Sequence, residues 1–316
     1  MPLPLNDPFP LPVPLPIPAV VFPYSRLPVP TSLMEWHIRS RTLTLDRPLL
    51  MGIVNVTPDS FSDGGRYFSS DADVFEHVTA LLEDGADIVD VGGESTRPGA
   101  VPVAAKDELR RVLPVIERIA RDRPQAVVSV DTVKSSVAQA ALEAGAHIVN
   151  DVSGLRLDPG IASVCARLSA GLVLTHSRGS SVSELGTYAH ARYGDVVTEV
   201  LAELRKRVDS ARAGGVADEH IAVDPGIGFA KEGQHSLAML AALPRLAAWG
   251  YPVLVGVSRK RFIGEITGVQ NPAGRLGGTL GANVAALARG ARIFRVHDVR
   301  AAREALDVAW AILKEQ

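Results

Sequence analysis

The chain is predicted to be an α/β protein of the (β/α)8 TIM-barrel class, and three observations carry that expectation. Eight short apolar runs follow one another at roughly even spacing. Segments of helical character lie between them, and each run ends in a polar residue or a glycine-rich polar turn. In an eightfold parallel barrel the strand C-termini converge on one rim, so residues far apart in sequence line a single pocket. The same βα repeat also builds open doubly wound sheets, but functional residues after all eight units favour closure.

Taken in chain order, the first thirty or so residues hold about half of the 22 prolines, many alternating with Leu, Val or Ile. Each proline removes a backbone donor and disfavours the helical region for its predecessor, so residues 1–34 are expected to be a disordered or polyproline-like tail. The tail lacks the basic start and continuous apolar core of a signal peptide, and Met34 reads as an alternative initiator. Residues 35–316 are then one catalytic domain. Trp36, Ile38, Leu43 and Leu45 alternate as a short β-hairpin does, placed to plug the barrel bottom.

The strands follow. Gly52-Ile53-Val54 leads to Asn55, Ile88-Val89 to Asp90, Val127 to Val130 to Asp131, and Ile148-Val149 to Asn150. Leu172 to Leu174 leads to Thr175-His176, Ile221 to Val223 to Asp224, Val253 to Val255 to Ser258-Arg259-Lys260, and Ile293-Phe294 to Arg295 and His297. Helices are expected at about 71–84, 105–121, 134–144, 159–169, 193–213, 234–248, 273–289 and 299–314. Apolar spacing such as Val200, Leu201, Leu204 and Val208 marks one buried helix face. Gly85, Gly145, Gly214 and Gly250 stand where left-handed C-caps belong.

With 316 residues, 47% hydrophobic and 22% charged, the chain is long enough for one large barrel. A formal net charge of -2 without a basic cluster argues against nucleic acid, and no run is long enough to suggest a membrane span. Cys165, the single cysteine, cannot close an intramolecular disulfide and reads as a small buried hydrophobe, so a cytoplasmic location is expected.

Five features carry chemistry. The loop 55–65 after the first strand is long, polar and glycine-ended, with Phe61 exposed unless it covers a ligand. Gly92 to Gly99 combines glycines with Thr96 and Arg97, which suit phosphate oxygens; the plainer reading pairs Arg97 with Glu94. Arg295-x-His297 closes the last strand, where barrels commonly bind phosphate. Asp131, Asn150 and Asp224 offer two carboxylates and a carboxamide, fit for a flat heterocycle with ring N–H, amino and carbonyl groups. Divalent-metal ligation is the rival, weakened by the lack of a His-x-His or Glu-x-x-His set. Lys260 is either a donor to a ring atom or a Schiff-base nucleophile.

These motifs, in this order over about residues 36–316, resemble the dihydropteroate synthase family of folate biosynthesis. The segments that carry the likeness are 51–65, 90–99, 129–132, 149–151, 224–229, 257–260 and 295–299. The resemblance implies condensation of 6-hydroxymethyl-7,8-dihydropterin diphosphate with p-aminobenzoate to 7,8-dihydropteroate and pyrophosphate, in a sulfonamide-targeted, typically homodimeric enzyme. It assigns the pterin to Asp131, Asn150, Asp224, Phe229 and Lys260. The diphosphate goes to Asn55, Thr96, Arg97, Arg295 and His297, with Mg2+ through Asn55, and p-aminobenzoate to Phe61, Thr96, Pro98, Ser258 and Lys260. Catalysis falls to Asp131, Lys260, Arg295, His297 and Arg97, and helix 273–289 is the candidate dimer contact. One departure is Thr175, where the family usually has Met, which predicts a looser pterin wall. A non-catalytic pterin-binding paralogue or a corrinoid-dependent methyltransferase domain would not need the intact leaving-group and arylamine loops.

Overall fold

The computed structural model describes residues 34–57, 71–97 and 99–315. Phe61, Pro98 and the proline-rich residues 1–33 lie outside them. The hairpin β1 (Glu35–Ile38) and β2 (Arg41–Thr44) comes first. The βα series then runs β3 (Leu49–Asn55), α1 (Asp71–Glu83), β4 (Ile88–Gly92), α2 (Ala105–Asp122), β5 (Val127–Asp131), α3 (Ser135–Glu143), β6 (Ile148–Asp151) and α4 (Gly160–Leu168). It continues through β7 (Gly171–Thr175), α5 (Val182–Leu185), α6 (Val196–Ala213), β8 (Ile221–Asp224), α7 (Gly233–Ala241), α8 (Leu243–Ala247), β9 (Leu254–Val255) and α9 (Arg261–Thr267). It ends with α10 (Leu276–Leu287), β10 (Ile293–Val296) and α11 (Val299–Lys314).

The eight strands β3 to β10 are parallel, in the order β8-β7-β6-β5-β4-β3-β10-β9. A parallel bridge from Val223 to Val253, with the Val223 N–H donating to the Pro252 carbonyl at 2.9 Å, joins the two ends and closes the barrel. Register sets Gly92 beside Asp131, Asp131 beside Asn150, and Thr175 beside Asp224, so polar strand ends become neighbours on one rim.

Alternation along the strands sorts the apolar residues into two sets. Leu50, Val54, Val89, Val91, Val128 and Val130 face outward and pack under the helices. Met51, Ile88, Val127, Ile148, Val173, Leu254 and Ile293 fill the barrel's lower interior, and Trp36, Ile38 and Leu45 of the hairpin join that cluster. The plug is therefore as the sequence predicts, fastened by Trp36 Nε1 donating to the His220 carbonyl at 2.9 Å.

Several helix boundaries differ for identifiable reasons. The segment 234–248 is two helices, because Pro244, the second residue of α8, has no N–H to continue the ladder of α7. The segment 193–213 starts at Val196, where the Asp195 carboxylate accepts from the Val197 and Thr198 N–H groups as an N-cap. At the other end of that helix Gly214 has φ −77°, and Gly215 takes the left-handed turn at φ +93°. A turn of 3-10 helix, Pro272–Arg275, precedes α10, while α5 and α9 are additional. Cys165 is buried, as expected. Among the described residues no helix is long and apolar enough to cross a membrane.

Candidate active site

On the rim formed by the strand C-termini, a cavity of about 420 Å³ is bordered by Asn55, Thr96, Arg97, Asp131, Asn150, Asp224, Phe229, Ser258, Lys260, Arg295 and His297. These eleven are all the described members of the sequence-predicted site, and they come from seven different strand ends or the loops after them. A larger recess, about 620 Å³, lies away from this rim around Arg39, Arg41 and His147 and shares none of them.

The floor of the cavity is ionic. Arg295, midway along β10, donates from Nε to Asp90 Oδ2 at 2.6 Å and from Nη2 to Asp131 Oδ2 at 2.8 Å. Asn150 Nδ2 donates to the same Asp90 oxygen at 3.0 Å. A buried pair of carboxylates around one guanidinium is held by geometry: the fork of Arg satisfies one oxygen of each. Burial pushes the Asp131 carboxyl up to about 7, with the Asp90 charge adding to the rise and Arg295 opposing it.

On the opposite wall Asp224 Oδ1 accepts from the Gly226 N–H at 2.7 Å. Gly226 has φ +68°, and a Cβ there would stand 1.9 Å from the His176 carbonyl oxygen, so this tight turn requires glycine. Burial raises the Asp224 carboxyl to about 6, and the charges of Lys260, Lys231 and Arg295 pull it back. Lys260 Nζ lies 4.1 Å from the Phe229 ring centroid, a cation–π contact. Burial lowers the Lys260 pKa to about 8, against the pull of Asp224. Carboxylate, ammonium and aromatic face thus share one wall.

At the strand-ten side Ser258 Oγ and His297 Nδ1 are 2.9 Å apart, and the His297 N–H donates to the same hydroxyl at 3.3 Å. Arg259, between Ser258 and Lys260, also borders the cavity, its guanidinium held bidentate by Asp298. The loop bearing Thr96 and Arg97 is anchored through Glu94, which accepts from the Val103 N–H at 2.7 Å and from Lys134 Nζ at 2.6 Å. Lys134 also donates to the buried Glu108 at 2.5 Å. Glu94 therefore serves this loop anchor, which weighs against its being merely the surface partner of Arg97.

Three participants escaped the sequence reading. Asp90 was legible only as a strand end, although a carboxylate amid Ile88, Val89 and Val91 signals a buried pairing. Tyr188 and Arg261 border the cavity and touch, the guanidinium 3.8 Å over the ring. Thr175, in place of the family Met, is buried on the cavity wall, and its hydroxyl has no hydrogen-bond partner among the described residues.

Among the described residues no group of three or more His, Cys, Asp or Glu side chains forms a metal cluster. Asn55 presents a carboxamide on the cavity wall, with Thr57 nearby on it. A single hard oxygen donor of this kind would suit Mg2+, which keeps water as most of its ligands.

Comparison with known proteins agrees with this geometry. The pterin binding enzyme family matches residues 51–297. The dihydropteroate synthase of Mycobacterium leprae is 47% identical over 269 residues, 84% of this chain and 93% of that protein. The Xanthomonas albilineans dihydropteroate synthase with 4-aminobenzoic acid superposes with a TM-score of 0.81 at 45% identity, covering 89% of this chain and 98% of that one. The same organism's enzyme in complex with 7,8-dihydropteroate gives 0.76 at 43% identity, covering 87% and 98%.

Proposed function

The chain belongs to the dihydropteroate synthase family of pterin-binding enzymes, and from that premise we propose how its rim divides the labour of the family reaction. It condenses 6-hydroxymethyl-7,8-dihydropterin diphosphate with p-aminobenzoate, giving 7,8-dihydropteroate and pyrophosphate. The observation that carries our reading is that the acidic and amide groups suited to a heterocycle and the cationic and hydroxyl groups suited to a diphosphate border one cavity.

The pterin edge is received by Asp131, Asn150 and Asp224, whose oxygens accept from ring N–H and exocyclic amine while Lys260 donates to a ring acceptor; Phe229 backs the Lys260 side. The diphosphate meets Thr96, Arg97, Arg295 and His297. Arg295 is shared in this reading, since the guanidinium that pairs with Asp90 and Asp131 also borders the cavity. Asn55 would hold Mg2+, which when bound would supply further positive charge to the diphosphate. p-Aminobenzoate is received by Phe61, Thr96, Pro98, Ser258 and Lys260.

Departure precedes capture in this reading. The C–O bond to the diphosphate breaks as Arg97, Arg295 and His297 offset the charge growing on pyrophosphate, and Asp131 steadies the cationic methylene. The arylamine nitrogen then forms the C–N bond and sheds a proton. No covalent enzyme intermediate is needed, so Lys260 acts as a donor and not as a Schiff-base nucleophile.

Residues 35–316 act as one catalytic unit, and Met34 packs on its hairpin. A homodimer through α10 and its neighbours is supported by the open space beside Gly277 and Gly281 and by exposed Val308 and Ile312 on the adjoining α11. A cytoplasmic location fits the lone buried Cys165. The test is incubation with the pterin diphosphate, p-aminobenzoate and Mg2+. Dihydropteroate should form together with pyrophosphate only when the arylamine is present, stop forming on chelation and be inhibited by a sulfonamide competing with p-aminobenzoate. Pyrophosphate release that yields no dihydropteroate with the arylamine present would instead identify a hydrolase.

A further inference from the structure

Lys231 is fully buried and does not border the cavity. Its Nζ stands 2.8 Å from His176 Nδ1 and donates to the carbonyls of Gly226 and Phe229, both at 3.1 Å, and more distantly to that of His176 at 3.4 Å. All four contacts are acceptors, which is the environment an ammonium requires. With Nδ1 accepting from the lysine, His176 carries its proton on Nε2 and donates to Glu203 Oε2 at 3.0 Å. Glu203 is held in turn by Arg178. Burial and the Lys231 charge keep the imidazole neutral, lowering its pKa to about 3. Lysine and glutamate thus form an ion pair relayed through a neutral ring.

The loop this relay grips carries two walls of the pterin slot. Its turn begins with Asp224 on the Gly226 N–H, and the Phe229 N–H donates back to the Gly226 carbonyl at 3.0 Å. The next residue, Ala230, has φ +45°, outside the comfortable range for alanine. It is held by its N–H donating to the Leu185 carbonyl at 3.1 Å and by Tyr193 Oη donating to its own carbonyl at 3.0 Å. Lys231 adds the remaining ties, to Gly226 and Phe229. Removing it leaves those buried carbonyls without their ammonium donor, a loss that a compact loop answers by shifting.

We propose that Lys231 is a positioning residue for the pterin slot: from behind the rim its buried ammonium fixes the Asp224-to-Phe229 loop and sets a positive charge behind the Asp224 carboxylate that receives the heterocycle's N–H groups. The proposal rests on Asp224 receiving the pterin, as assigned above. The charged or titratable groups that bear on Asp224 and Lys231 are Lys260 after β9, Arg295 on β10, His176 and Arg178 after β7, and Glu203 on α6. Lys231, Lys260 and Arg295 all lower the Asp224 pKa. Burial lowers the Lys231 pKa to about 7 and the Asp224 charge opposes that fall, while Asp224 stands at about 6.

The experiment measures kcat and KM for the pterin diphosphate and for p-aminobenzoate over about pH 5 to 8 in the full chain, K231M, K231Q and Y193F. K231M should raise the pterin KM about tenfold with kcat and the arylamine KM within about twofold, and move the acid limb of pterin kcat/KM upward by about half a unit or more. K231Q, which keeps an N–H for the carbonyls but no charge, should show the same limb shift with a smaller KM rise. Y193F loosens the loop without altering charge and should raise KM with the limb unmoved. A folded K231M with wild-type KM, or with a raised KM and an unmoved limb, overturns the proposal. Failure of both Lys231 variants to fold overturns it as well, assigning the residue to the stability of the core. A wild-type chain that makes no dihydropteroate would instead overturn the assigned reaction.

Discussion

Asp90→Asn isolates the floor of the site with the least change of shape. Asp90 is fully buried, and one of its oxygens, Oδ2, accepts from both Arg295 at 2.6 Å and Asn150 at 3.0 Å. The amide keeps one acceptor oxygen of the same size but no charge, so Arg295 retains only Asp131 as an ionic partner. A hydrogen bond to a charged group contributes about 1.5–3 kcal/mol, and with no solvent exposure there is no screening to discount. At about 1.4 kcal/mol per decade this corresponds to a fall of roughly ten- to hundredfold in kcat/KM for the pterin diphosphate. The pH dependence has a definite sign. The Asp90 charge raises the Asp131 pKa, so its removal should lower the Asp131 step of the acid limb from about 7. Pyrophosphate release at saturating p-aminobenzoate, followed across pH, reads both effects. A kcat/KM within twofold of wild type and an unmoved limb would refute the claim that Arg295 depends on this carboxylate.

Two further perturbations test the frame and the wall. Trp36→Ala empties the hairpin plug, and loss of a fully buried indole with its bond to the His220 carbonyl should destabilise the fold by about 3–5 kcal/mol. Thermal unfolding should show this while kcat/KM well below the lowered Tm stays near wild type, because the plug packs at the strand ends opposite the rim; a large kinetic defect there would contradict that separation. Thr175→Met replaces a buried hydroxyl without a partner by an apolar side chain that fills the wall, and should tighten pterin binding about three- to tenfold by calorimetry. No gain would count against the loose-wall reading.

The fold was legible because its signals are local. Alternation marked the Trp36 hairpin, and strand-terminal polar residues marked the rim. Features that depend on one or two residues were lost: α9 is only seven residues long and contains Gly264, and the break at Pro244 sits inside an otherwise helical apolar pattern. The site was legible where a motif places donors and acceptors close in sequence, as in Thr96-Arg97 and Ser258-Arg259-Lys260. Asp90 and Lys231 were not, since each takes its meaning from a distant partner: Arg295 is 205 residues from Asp90, and His176 is 55 from Lys231. A lysine in a glycine-rich loop ordinarily reads as solvated; here the fold encloses it completely. Spacing alone also gave Arg295 to the phosphate end, whereas the structure ties it to two carboxylates, Asp90 and Asp131, on the cavity floor.

The barrel wall is not uniformly strong. Where β8 meets β9, a strand of two residues, a single paired position, Val223 with Val253, stitches the seam, against three to five registered pairs between β3 and β4, β4 and β5, or β5 and β6. Asp224 rides on one lip of that seam and Lys260 follows the other. The width of the gap between these two side chains is thus the dimension that thermal breathing alters most readily. A heterocycle gripped by both acts as a rivet across the joint, so occupancy of the slot should strengthen the whole cylinder through mass action.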